Sequence, residues 1–217
     1  DSTFTLTLPA KDYERVNFIW YGKAVLGSVI SKGGKIQLDV DATAQEPLTI
    51  QGVDEKEVAV SRLLNQLDAD VWDLRARRGD RWQIAKDTVA TSVAQKLKDD
   101  AASMESQLAG LDKDLQEKAR QDIRMQLLLA FQNQTMGASY RTSEATRQDW
   151  FTESEQMTAF CVLDNPNSTF SPAFYDVVSN EIGIRYYMRQ EPMPEGVENS
   201  IAFAFTQMLI ATVIMLI

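Results

Sequence analysis

The chain has 217 residues, with 22 basic and 31 acidic side chains, a net charge of −9 at pH 7, no histidine and one cysteine, Cys161. This length allows one domain, or one domain plus an anchor, and a core that needs neither disulfides nor metals. The acidic charge argues against binding to free nucleic acid, and without histidine the chain cannot form a Ser-His-Asp or Cys-His catalytic group of its own.

The first 50 residues show the alternation of apolar and polar side chains that is typical of strands. Phe4, Leu6 and Leu8 alternate with threonines, and apolar or β-branched runs follow at residues 16–21, 25–31 and 35–40. Gly33 and Gly34 separate the last two runs, and this predicts a hairpin between them.

The period then changes to that of a helix. Asp54 is a predicted N-cap, and apolar residues recur from Val60 at intervals of three and four. A second apolar stripe runs over residues 80–135 and predicts two long helices, or one helix broken near Gly110. The stripe is narrow around Leu108 and Leu115, which favours a projecting helical hairpin or coiled coil that contacts other subunits.

The C-terminal third predicts a return to strands. Residues 137–150 are polar and predict a loop, residues 164–168 predict a turn, and residues 157–163, 174–178 and 182–188 are strand candidates. The predicted fold class is therefore α+β. Its β-rich body combines residues 1–53 and 138–190 in one shared sheet, with a helical insertion at 54–137, a linker at 191–200 and an apolar segment at 201–217.

The apolar segment is the strongest single signal. Fourteen of its seventeen residues are apolar and none is charged. Three interpretations remain open: a transmembrane helix, a helix buried between subunits and a core helix of the same domain. As a membrane anchor it would insert through Ile201, Phe203, Phe205, Leu209, Ile210, Val213 and Ile214. Acidic residues and no basic ones flank it, which favours an extracytoplasmic main domain.

The only basic cluster consists of Arg75, Arg77, Arg78 and Arg81. These arginines can compensate the charge at a helix end, or they can bind phosphate, lipid headgroups or the acidic residues of a neighbouring subunit. The glycines between residues 27 and 35 do not have phosphate-loop spacing, and pairs of acidic residues lack the further oxygen ligands that a metal needs. We therefore expect neither cofactor nor metal.

The sequence predicts a non-enzymatic structural subunit of a membrane-associated or virion assembly. Its partners would be other protein subunits, in a homo- or hetero-oligomer, and a membrane. The alternative is an extracytoplasmic binding or adhesion module that presents the arginine cluster. An enzyme that uses carboxylates or a Ser-Lys pair is a third hypothesis, to which no motif points.

Overall fold

The computed structural model describes residues 12–20, 24–40, 48–52, 54–72 and 88–192. These residues form a mixed α+β structure that is mostly helical, which confirms the predicted class. Its strands are β1 (Glu14–Trp20), β2 (Ala24–Ile30), β3 (Ile36–Val40) and β4 (Leu48–Gly52). Its helices are α1 (Glu55–Trp72), α2 (Ala90–Ser106), α3 (Lys113–Arg141), α4 (Glu144–Cys161), a 3-10 helix (Pro166–Phe170), α5 (Phe174–Ile182) and a π-helical turn (Gly183–Met188).

The four strands form two antiparallel pairs. In the first, Glu14 of β1 lies opposite Ile30 of β2, and in the second, Ile36 of β3 lies opposite Gly52 of β4. The predicted turn is present, since the Gly34 amide donates to the Ser31 carbonyl at 2.9 Å. The predicted pairing of β2 with β3 is wrong, because the two strands belong to different sheets.

Side chains of α1 occupy the edge of β2 that faces away from β1. Asn65 accepts a hydrogen bond from the Gly27 amide at 2.8 Å and donates to the Gly27 carbonyl at 2.7 Å. The Ser61 hydroxyl accepts from the Val29 amide at 2.8 Å. These bonds satisfy backbone groups that another strand would otherwise have to pair, which explains why β3 does not pair there. Asp54 caps α1 as predicted, accepting from the Lys56 amide at 2.8 Å.

Helices α2 and α3 confirm the predicted break near Gly110, whose φ of 85° lies in the left-handed region. The predicted stripe is buried on both sides of the break, at Leu97, Ala101, Leu108, Leu115, Ala119, Ile123 and Leu127. Helix α3 does not project from the body. It is in contact with α1, α2, α4 and α5, and it is buried almost continuously from Gln121 to Phe131. A central helix of this kind explains why one hydrophobic core joins all the long helices.

The C-terminal strand prediction is wrong. Residues 138–190 contain no strand in the described structure, so the shared sheet does not form, and the predicted loop at 137–150 contains the end of α3 and the start of α4. Trp150, Ser154, Met157 and Cys161 are buried at intervals of three and four residues on α4, which is helical spacing. Because the polar Ser154 interrupts this stripe, the apolar residues alone do not show helical spacing in the sequence.

No helix within the described ranges combines the length and the apolar character needed to cross a bilayer. Residues 193–217, which include most of the predicted linker and the whole apolar segment, lie outside the described residues. The strand predicted around Phe4 also lies outside them.

Candidate functional site: an apolar groove between α4 and α5

A groove of about 380 Å³ lies between the end of α4 and the start of α5. Thr158, Ala159, Val162, Leu163, Asp164, Phe174 and Val178 line it. Asp164 is the one charged residue in this lining. Tyr175, which is 73% exposed, stands next to the groove with its ring 5.4 Å from that of Phe174. The volume is at the lower end of the range for ligand pockets, so the groove suits a few apolar side chains.

The reversal of the chain between α4 and α5 opens this groove. Val162 follows the last residue of α4 and has a φ of 53°, a left-handed conformation that is uncommon for β-branched residues. Asn165 then caps the 3-10 helix by accepting a hydrogen bond from the Asn167 amide at 2.8 Å. The turn predicted at 164–168 is therefore present, and it separates two helices rather than two strands.

Two polar side chains of α3 hold this connection in place. Gln121 donates to the carbonyls of Cys161 at 2.8 Å and Val162 at 3.1 Å, and to the Ser168 hydroxyl at 2.9 Å. Asp122 accepts a hydrogen bond from the Ser171 hydroxyl at 2.6 Å. Gln121 thus satisfies terminal carbonyls of α4 that lack partners within the helix, and both ends of residues 162–171 are fixed to the central helix.

Asp122 also joins the β1–β2 pair to the helices. It forms an ion pair with Arg15 of β1, and the two side chains are 0% and 3% exposed, respectively. Gly27 of β2 leaves room for this contact, because a Cβ at that position would lie 3.0 Å from Nε of Arg15. The strands therefore support the groove indirectly, through the same aspartate that holds Ser171.

Glu181 sets the distance between the two walls of the groove. Its carboxylate accepts hydrogen bonds from Thr158 of α4 at 3.0 Å and from Gln132 of α3 at 3.1 Å. Since Glu181 belongs to α5, three helices meet at one carboxylate. The groove is consequently a preformed feature of the body.

A group of four charged residues joins the π-helical turn to α4. It consists of Glu155, Arg185, Arg189 and Glu191, and we call it the exit clamp. Glu191 accepts from Arg185 at 2.8 Å and lies 3.1 Å from Arg189, and Arg189 is paired with Glu155 of α4. Gln190 has a φ of 56° and turns the chain between them. The hydrogen bond from Arg185 to Glu191 raises the pKa of the Arg185 guanidinium.

The exit clamp and the groove share one side of α4. Glu155, Ala159 and Val162 follow one another at intervals of four and three residues, and all three are exposed. Such spacing places them in one row along a helix. At 1.5 Å per residue, Val162 lies about 10 Å along the axis from Glu155.

Cys161, directly before Val162, is buried within the core. Burial raises the pKa of its thiol to about 12, so it remains a neutral thiol at physiological pH and is not an activated nucleophile. Within the described ranges, no three acidic or cysteine side chains are grouped so that they could hold a metal ion.

The residues predicted from sequence as sites fall in two groups. Leu108 and Leu115 are described and lie in the hydrophobic core, at 0% and 1% exposure, and their predicted contact with a partner stays a prediction. Arg75, Arg77, Arg78 and Arg81 lie outside the described residues, and so do Ile201, Phe203, Phe205, Leu209, Ile210, Val213 and Ile214. The roles predicted for the arginine cluster and for the apolar segment stay predictions.

The groove could not be predicted from the sequence, because the residues of α4 and α5 show the patterns of loops and strands. One local signal for α4 was present: Ser143 followed by Glu144, a typical helix start. The Ser143 hydroxyl does cap α4, accepting from the Thr146 amide at 3.3 Å.

Comparison with models of protein families, with curated proteins and with solved structures gives no match. Function must therefore be inferred from the residues of this chain alone.

Proposed function

We propose that this chain is a non-enzymatic structural subunit that residues 201–217 anchor in a membrane, with the helical body held at the membrane surface as part of a larger assembly. The observation that carries the proposal is the uncharged run of seventeen residues, fourteen of them apolar, at the end of an otherwise acidic chain. Such a run needs an apolar environment.

Two features of the body support this role. One hydrophobic core extends through the described helices from Val60 to Val177, and this favours a body that folds without the apolar segment. The exit clamp fixes residues 189–191 against α4, which gives an anchor a defined point of attachment. Both features favour an anchor over a core helix of the same domain.

The test is flotation with vesicles of phosphatidylcholine and phosphatidylglycerol. We expect the full chain to float with the vesicles and a variant lacking residues 201–217 to remain in the dense fraction while keeping a cooperative urea transition. Leu209→Asp should abolish flotation, because a charge in mid-membrane costs roughly 2.5–3.5 kcal/mol. Thr206→Ser is the matched control and should float normally.

Two outcomes would reject the anchor. A truncated variant without a cooperative transition would make the segment part of the core. Flotation that Leu209→Asp leaves unchanged would place membrane binding elsewhere in the chain.

A further inference from the structure

We propose that the groove between α4 and α5 binds the chain's own apolar segment, residues 201–217, when no membrane is available. The segment would exchange between the groove and the bilayer. This inference rests on the proposed anchoring function, and it adds a second, intramolecular site for the same segment.

The chemistry of the two surfaces matches. The groove is lined by Ala159, Val162, Leu163, Phe174 and Val178, with Thr158 and Asp164 as its polar members. The segment supplies fourteen apolar side chains and no charge, so it brings no ion into the groove. Asp164 is exposed and would have to keep its contact with water when the segment docks. A groove of about 380 Å³ would take only a few of the apolar side chains, whereas a bilayer would surround the whole segment, so a bilayer would compete with the groove for it.

The short connection to the segment also favours this occupant. Arg189 is paired with Glu155 and lies 6.0 Å from the ring of Phe151, both on α4. Glu155 lies about 10 Å along α4 from Val162. Eight residues, 193–200, lie between the end of the described ranges and the segment, and they can span up to roughly 26 Å. The connection is long enough to reach the groove.

A second copy of the chain is a weaker candidate for the occupant. Its own segment would have to reach the groove from solution, whereas the tethered segment acts at a high effective concentration.

The direct test is photo-crosslinking in the full-length chain. A benzophenone amino acid replaces Val162, a position that is 39% exposed and at which an unbranched residue relieves the left-handed strain. The same replacement at Val89, which directly precedes α2 and is 61% exposed, is the matched control. We expect irradiation to link position 162 to a residue within 201–217 of the same chain, and vesicles of phosphatidylcholine and phosphatidylglycerol to suppress that link. Position 89 should give no such link.

A second variant measures the competition between groove and membrane. Val162→Glu should free the segment and raise the apparent vesicle affinity about 3- to 10-fold, because docking reduces that affinity in proportion to the fraction of segments left undocked. Val89→Glu should leave the affinity unchanged. Both variants should keep the wild-type urea transition, since the two positions are exposed; if Val162→Glu does not keep it, Ala159→Glu takes its place.

The outcomes separate this inference from the proposed function. If the chain floats but position 162 forms no intrachain link, the segment does not bind in the groove, and the proposed membrane anchoring still stands. Links between isotopically distinct chains overturn it in favour of a second copy. An intrachain link in a protein that never floats supports the groove and rejects the anchor, and equal vesicle affinity of Val162→Glu and wild type overturns the exchange.

Discussion

The ion pair between Arg15 and Asp122 is the residue-scale feature that joins the β1–β2 pair to the helices. Both side chains are almost fully buried, and Asp122 also accepts from Ser171 at 2.6 Å and from Gln126 at 3.3 Å. A buried pair of this kind contributes little net stability compared with apolar residues, but loss of one partner leaves a buried charge without compensation. Replacement of Asp122 alone therefore leaves the buried Arg15 charge without a partner and should lower the stability of the fold.

We predict that Asp122→Asn lowers the free energy of unfolding by about 3–5 kcal/mol, because it leaves the Arg15 guanidinium unpaired in the interior. Urea denaturation measures the change. The double variant Arg15→Met with Asp122→Asn should recover part of the loss, since it removes the unpaired charge.

The control is the exposed pair Lys96–Asp100, with side chains 69% and 43% exposed. Asp100→Asn should change the free energy of unfolding by no more than about 0.5 kcal/mol. Equal destabilisation by Asp122→Asn and by its double variant would show that the unpaired charge is not the cause.

A second residue-scale prediction concerns pH. Burial raises the pKa of Cys161 from 9.0 to about 12, so between these values the unfolded chain loses the thiol proton while the folded chain keeps it. The contribution of this group to stability is then complete below pH 9 and is lost as pH rises toward 12. Urea denaturation from pH 7 to 11 should show the stability difference between wild type and Cys161→Ala constant below about pH 8 and falling above pH 9. A pH-independent difference would contradict the shift.

At the scale of elements, Gly27 and Gly183 differ in the space that surrounds them. A Cβ at Gly27 would lie 3.0 Å both from Nε of Arg15 and from Oδ1 of Asn65, whereas a Cβ at Gly183 would meet nothing within 4 Å. Gly27 is therefore required by the close approach of β1, β2 and α1. Gly183 continues a helical backbone, with φ of −59° and ψ of −46°, and requires no glycine.

We predict that Gly27→Ala destabilises the fold by about 1–3 kcal/mol, because the added methyl group overpacks the contact. Gly183→Ala should stabilise it by about 0.4–1 kcal/mol, because alanine restricts the unfolded chain without strain in the folded one. Thermal denaturation of the two variants measures both changes. A stabilising Gly27→Ala would mean that the Arg15 and Asn65 side chains can move away at little cost.

A helix could be predicted from the sequence where the spacing of its apolar residues and a capping residue both indicate it. Helix α1 has both Asp54 as its cap and an apolar stripe, and the break at Gly110 follows from a conformation that glycine adopts readily. Helix α4 was missed because its buried stripe contains the polar Ser154. Helix α5 was missed because it has nine residues and one buried position, Val177, which is too short a stripe to show a helical period. The alternation of apolar residues between Ile182 and Met188 also suggested a strand, although this stretch forms the end of α5 and the π-helical turn.

At the scale of the whole molecule, the groove could not be predicted from local patterns. Its shape depends on contacts between residues far apart in the chain: Gln121 with Cys161, 40 residues apart, and Asp122 with Ser171, 49 residues apart. A single sequence contains no local signal for such pairs. The core positions of α3 were predictable because apolar spacing alone identifies them, whereas the burial of Gln121 and Asp122 depends on partners in another part of the chain.

The ion pair that joins the strands to the helices also sets the order in which a growing chain can complete its fold. Arg15 and Asp122 are 107 residues apart, and a ribosome adds about 5–20 residues per second. The β1–β2 hairpin therefore emerges roughly 5–20 s before the carboxylate that will neutralise its arginine. Ser171, which holds the same carboxylate, comes 49 residues later still. The β1–β2 pair is thus synthesised before the partner of its arginine, and until Asp122 emerges the Arg15 guanidinium has to stay in water.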